Sequence, residues 1–104
     1  MAHATFRVQR QLSASVKRAV LKHGLGLSSP CQQQLERTIR TGVERMRSQR
    51  ALLQDDKLRL AEENLARCIR RMGEESERLG TFPVVDERSL SSALTGLCPL
   101  WPFC

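Results

Sequence analysis

The chain has 104 residues, with 17 basic and 11 acidic side chains, a formal net charge of +6 and a pI near 9.9. That length allows one domain with a modest core. Four aromatic residues (Phe6, Phe82, Trp101, Phe103) and no tyrosine favour helix-on-helix packing over a sandwich or barrel, and no run reaches the roughly 20 apolar residues that span a bilayer.

An all-α protein is therefore expected, in three zones: a basic arm over residues 1–28, a long helix over 29–79 and a tail over 80–104. The excess charge belongs to the first zone. Residues 1–35 carry Arg7, Arg10, Lys17, Arg18 and Lys22 and no carboxylate. On a helical wheel Val8, Leu12, Val16, Ala19 and Val20 share one side, and the basic residues lie opposite with Leu21 among them. Gly24 and Gly26 then stop the helix. A basic, amphipathic, acid-free and serine-containing arm is the signature of a mitochondrial transit peptide, and Arg10-Gln11-Leu12-Ser13 resembles a processing site. The same arm suits an anionic membrane surface, or a hairpin folded back onto the long helix across the Gly24–Ser29 loop.

The long helix starts at a Ser-x-x-Gln capping box, Ser29 to Gln32, with Pro30 at its first position. Leu35, Ile39, Gly42, Met46, Gln49, Leu53, Asp56 and Leu60 follow at steps of four and three. A second seam, Leu58, Ala61, Leu65, Cys68, Met72 and Leu79, is out of phase with the first across residues 53–58. With no glycine or proline at that point, one continuous, coiled-coil-like helix is expected over a hairpin, with either a discontinuity in the coil there or a packing face that rotates along its length. A helix this long must bury its stripe on another helix, in this chain or in a partner. Acid-first pairs four apart (Glu36–Arg40, Asp55–Arg59, Glu63–Arg67, Glu74–Arg78) support the helix and identify no ligand. Over residues 36–79 eleven basic side chains nearly balance nine acidic ones, and ten of the eleven are arginine, which suits packed interfaces.

Within this helix, Leu65-Ala66-Arg67-Cys68-Ile69-Arg70-Arg71-Met72-Gly73-Glu74-Glu75 resembles the short helix by which pro-apoptotic Bcl-family ligands enter their partners' groove. Leu65, Ile69 and Met72 match the first three apolar anchors and Gly73 the small position. Ile69 replaces a leucine, Glu74 an aspartate, and Ser76 stands at the fourth anchor. The resemblance implies helix-in-groove binding through residues 65–76.

In the tail, Asp86 caps a short helix over Glu87–Thr95 closed by Gly96, with Val85 and Leu90 as a hydrophobic staple. Leu97-Cys98-Pro99-Leu100-Trp101-Pro102-Phe103-Cys104 is too apolar for a solvated tail, and its prolines predict an extended run with Trp101 as anchor, on the long helix or in a partner, with a disordered tail as the alternative. Cys98 and Cys104 bracket this run. They are expected as reduced thiols, with a disulfide as the alternative in an oxidising compartment. Cys31 and Cys68 are expected to pack as small apolar residues.

No glycine-rich phosphate loop, catalytic triad or zinc spacing is present, so neither an enzyme nor a bound metal or cofactor is expected. The sequence points to a small helical interaction or assembly-factor subunit, mitochondrial if the arm is an address and otherwise cytoplasmic or nuclear. It would meet a protein partner or a second copy through Leu35, Ile39, Met46, Leu53, Leu60, Leu65, Ile69, Met72 and Trp101. The alternatives are a nucleic-acid-binding protein using the basic arm and the Bcl-type groove ligand.

Overall fold

Gly24 (φ 65°), Arg50 (φ 56°) and Gly80 (φ 77°) sit in left-handed backbone and divide the chain into its helices. A computed structural model describes residues 2–104. It contains α1 (Ala2–Lys22), β1 (Gly26–Leu27), α2 (Ser29–Ser48), α3 (Asp55–Arg78), β2 (Val84–Val85) and α4 (Glu87–Leu94). Each left-handed residue forms the same helix stop. The N–H two beyond the cap reaches back five residues, Leu25 to Val20 at 3.0 Å, Ala51 to Met46 at 2.8 Å and Thr81 to Ser76 at 2.8 Å. These are Schellman bonds, which satisfy carbonyls that a helix end leaves unpaired.

The middle stop corrects the expectation of one continuous helix over 29–79. Two separate helices of 20 and 24 residues form instead. Met46 and Ala51, joined by the Schellman bond, are both buried, so apolar burial fixes the turn although arginine stands where glycine is usual. The two out-of-phase seams are the inner faces of two helices. Leu53, counted in the first seam, lies in the connecting turn and is 67% exposed. The cap of α2 is also one residue earlier than expected: the Ser28 hydroxyl accepts the Cys31 N–H at 3.4 Å.

α1 packs against both α2 and α3, so the basic arm folds back as a helix of the bundle. Its buried side is Val8, Leu12 and Val16, where full burial is worth about 1.5–3 kcal/mol for each large aliphatic side chain. A polar cluster holds α1 to α3. The Ser15 hydroxyl donates to Glu62, Gln11 donates to the same carboxylate at 3.3 Å, and Arg18 approaches it at 3.9 Å. At one end of the bundle β1 and β2 pair in parallel, Gly26 with Val84 and Leu27 with Val85, which ties the loop after α1 to the loop after α3.

α4 returns along α3 with Asp86 as its cap, accepting the Ser89 N–H at 2.9 Å. Beyond it the tail is not extended. Trp101 N–H bonds the Cys98 carbonyl and Phe103 N–H the Leu100 carbonyl, both at 2.9 Å, and these turns coil the run into a ring. The coiling brings the Cα atoms of Cys98 and Cys104 to 6.1 Å, within disulfide reach, and the two are bonded, correcting the expectation of reduced thiols. Cys31 and Cys68 are free and buried, as expected of small apolar packing residues.

Candidate interaction surfaces

Most of the positions expected to meet a partner lie in the chain's own core. Leu35, Ile39 and Met46 on α2 are buried with Leu65, Ile69 and Met72 on α3, and Trp101 closes the space between those helices. Leu60 is half-exposed on α3, and Leu53 projects from the turn. The segment that resembles a Bcl-type ligand has all four matched positions buried, so α3 would have to leave the bundle to enter a groove.

The Trp101 joint depends on three contacts. Its ring lies against Gly42 of α2, its indole N–H donates to the Ala61 carbonyl of α3 at 3.2 Å, and its own carbonyl accepts from Arg45 at 2.8 Å. Asn64 of α3 donates to the Cys104 carbonyl at 2.6 Å. The ring is thereby fixed on both helices, and it presents outward the apolar residues that Trp101 does not need.

The result is an open cleft of about 1070 Å³ between α2 and the ring. Leu100 and Phe103 supply its apolar wall; Arg37, Arg40 and Arg45 border it, with Glu44 the one carboxylate among them. Leu100 is 67% exposed and Phe103 half-buried. Glu44 is taken by Arg47 at 3.0 Å, which leaves the cleft wall electropositive. This combination, an apolar side chain held rigidly beside guanidinium groups, suits a partner segment with an apolar anchor flanked by carboxylates.

A second surface is the outward side of α1. Arg7, Arg10, Lys17, Arg18 and Lys22 are exposed there, with Phe6 at 63% and Leu21 at 81%. The Arg10 guanidinium lies 5.6 Å from the centroid of the Phe6 ring.

Titratable groups point to structural roles. Burial pushes the Cys68 thiol up to about 11, with the Arg71 charge opposing the shift, so it is a protonated, unreactive thiol at neutral pH. Hydrogen bonding from Arg78 lowers Glu75, and the Ser89 N–H lowers Asp86. Among the described residues no cluster of His, Cys, Asp and Glu has the arrangement to hold a metal ion, and no helix is long and apolar enough to cross a membrane.

The helix-end ion pairs also differ from the sequence expectation. Arg78 pairs with Glu75 at 2.7 Å instead of Glu74, which is approached by Arg70 at 3.9 Å. The Arg70–Glu74 pair is exposed and Glu75 half-buried, and neither pair defines a ligand site.

Compared with known proteins, the chain matches no family model, no curated protein and no solved structure at a significant level. The surfaces therefore rest on their own geometry. Leu100, Phe103 and the α2 arginines were not among the expected contact residues. The signal for them was the excess apolarity of residues 97–104, which Trp101 alone does not account for.

Proposed function

We propose that this chain is a small helical interaction subunit, of the assembly-factor kind, that receives a partner protein in the cleft between α2 and the Cys98–Cys104 ring. The observation that carries this is Leu100, held out to solvent on a covalently closed loop beside Arg37, Arg40 and Arg45. An exposed leucine alone is ordinary. One fixed by a ring whose Trp101 anchors two helices is presented with little ordering left to lose on binding.

The test is affinity recovery of tagged chain from cross-linked cells, comparing Leu100→Asp with Leu53→Asp. Both leucines are 67% exposed, so neither change disturbs the core. The cleft reading predicts that Leu100→Asp loses specific partners and Leu53→Asp keeps them. Equal recovery by both would remove the cleft as the binding surface. Recovery of the chain itself, lost in Leu100→Asp and seen as a concentration-dependent mass in sedimentation, would identify the partner as a second copy.

The acid-free basic helix supports a mitochondrial address, and a disulfide supports an oxidising compartment over cytosol or nucleus. Removing α1 would uncover the side of α2 and α3 that Val8, Leu12 and Val16 cover. The proposal therefore keeps α1 in the working protein. Intact mass in fractionated cells checks this: a mitochondrial species retaining residues 2–28 is expected, and a shortened one would make α1 an address only.

A further inference from the structure

The outward side of α1 is a second exposed surface, and it does not depend on the cleft. Arg7, Arg10, Lys17 and Lys22 are exposed along a helix of 21 residues that contains no carboxylate. Phe6, Arg10, Lys17 and Leu21 follow at steps of four, seven and four, which places all four in one narrow stripe. The two apolar members stand at its ends, about 22 Å apart at the helical rise per residue. Two carboxylates approach from the flanks. Glu62 of α3 takes Arg18, and Glu36 of α2 borders the groove beside Lys17.

The geometry points to an anionic phospholipid surface as the ligand of this stripe. A straight, cationic helix face with an apolar side chain near each end can lie flat on a headgroup layer, its cations on the phosphates and Phe6 and Leu21 in the acyl boundary. Charge alone would serve a nucleic acid equally well. Leu21 decides against that, because an aliphatic side chain 81% exposed at the end of the stripe, beside Lys17 and Lys22, has nothing to gain from a phosphate backbone. Phe6, the aromatic residue of α1, already carries the Arg10 guanidinium over its ring. This is a peripheral contact made by the outer face of a packed helix. The apolar face of α1 stays on α2 and α3, so binding needs no unfolding.

The experiment is flotation of the full chain with vesicles of phosphatidylcholine alone and of phosphatidylcholine with phosphatidylserine. Binding to the mixed vesicles only, lost as salt is raised, is expected. The double variant Arg10→Gln, Lys17→Gln should bind the mixed vesicles roughly 30-fold more weakly, from about 1 kcal/mol for each cation near the surface. Leu21→Ser should weaken binding about tenfold, as expected for an aliphatic side chain withdrawn from the boundary. Circular dichroism should be the same for all three proteins, since every replaced side chain is exposed. Equal flotation with both vesicle types, or none with either, would overturn the proposal. So would mixed-vesicle binding that Leu21→Ser leaves intact and short duplex DNA displaces, which would make the stripe a general polyanion site.

Discussion

The six-membered ring of Trp101 lies over the Cα of Gly42 so closely that a Cβ at position 42 would overlap three of its carbons. Gly42 interrupts the apolar seam of α2, and in a helix interior glycine ordinarily costs up to about 1 kcal/mol relative to alanine. Here it is a socket. The same indole donates to Ala61 of α3 and the same residue's carbonyl accepts from Arg45 of α2, so one residue joins two helices that a six-residue turn connects in sequence.

Gly42→Ala should therefore destabilise the fold, by about 1–3 kcal/mol, against the direction that helix propensity predicts. The indole must withdraw, and its N–H bond to Ala61 stretches or breaks. Trp101→Leu should also destabilise on its own, by removing ring burial and that bond. The two effects share one contact, so the double variant should be less unstable than their sum by at least about 0.5 kcal/mol. Urea denaturation of the four proteins completes the cycle. Additive losses would mean that Gly42 is not the socket.

Arg50 carries a side chain into the left-handed region at φ 56°, where glycine stands at the two equivalent helix ends. Left-handed backbone costs a non-glycine residue roughly 1–2 kcal/mol, and the flexibility that glycine adds to the unfolded chain returns part of that. Arg50→Gly should raise stability by about 0.5 kcal/mol, read as a higher urea midpoint at unchanged slope. A lower midpoint would show that the arginine side chain holds the turn in some other way.

This position also explains what was hard to read in the sequence. Gly24 and Gly80 announce their helix ends, and the ends fall where those glycines predict. Asp86 announces α4 and its cap. Arg50 announces nothing: its turn is imposed by burying Ala51 with Met46, a tertiary effect that leaves no local mark. The phase slip between Leu53 and Leu58 was visible, and without a glycine it read as a rotating face instead of a break. The disulfide was equally hidden, because two cysteines six apart show their pairing only once the intervening turns are known. Of the candidate surfaces, the basic side of α1 was legible from the wheel. The cleft was not, since Leu100 is exposed only because Trp101 is buried, and which of two apolar neighbours faces inward depends on the socket at Gly42.

Thiol accounting tests the tail directly. Cys31 and Cys68 are free but buried, and Cys98 and Cys104 are joined. A chromogenic disulfide reagent at neutral pH should find almost no reactive thiol in the native protein, two after unfolding and four after reduction and unfolding. The pair Cys98→Ser, Cys104→Ser should lower stability by about 2 kcal/mol, the chain-entropy figure for so short a loop, and should loosen Trp101, seen as a red-shifted indole fluorescence. Cys68 adds a pH signature. Its folded value near 11 lies above the ordinary 9.0, so the folded state holds the proton longer. Its contribution is complete below pH 9 and is lost as pH rises towards 11. Cys68→Ala should flatten that alkaline decline, and an unchanged decline would assign it to other groups.

Asp86 works in the opposite direction. Its carboxylate accepts the Ser89 N–H at 2.9 Å and the Ser89 hydroxyl at 3.1 Å, with Arg88 at 3.3 Å, and the backbone bond is the main reason its value falls below the ordinary 3.8. A depressed carboxylate favours the folded state when charged. Its contribution is therefore complete above pH 3.8 and fades as pH falls through the lower folded value. Asp86→Asn keeps an oxygen for the Ser89 N–H and removes the charge. The stability difference between wild type and variant should hold constant through neutral pH and shrink in acid. Glu75, also depressed, is present in both proteins and cancels in that difference. A gap that persists unchanged to the most acidic pH would mean that geometry, not ionisation, makes Asp86 the cap of α4.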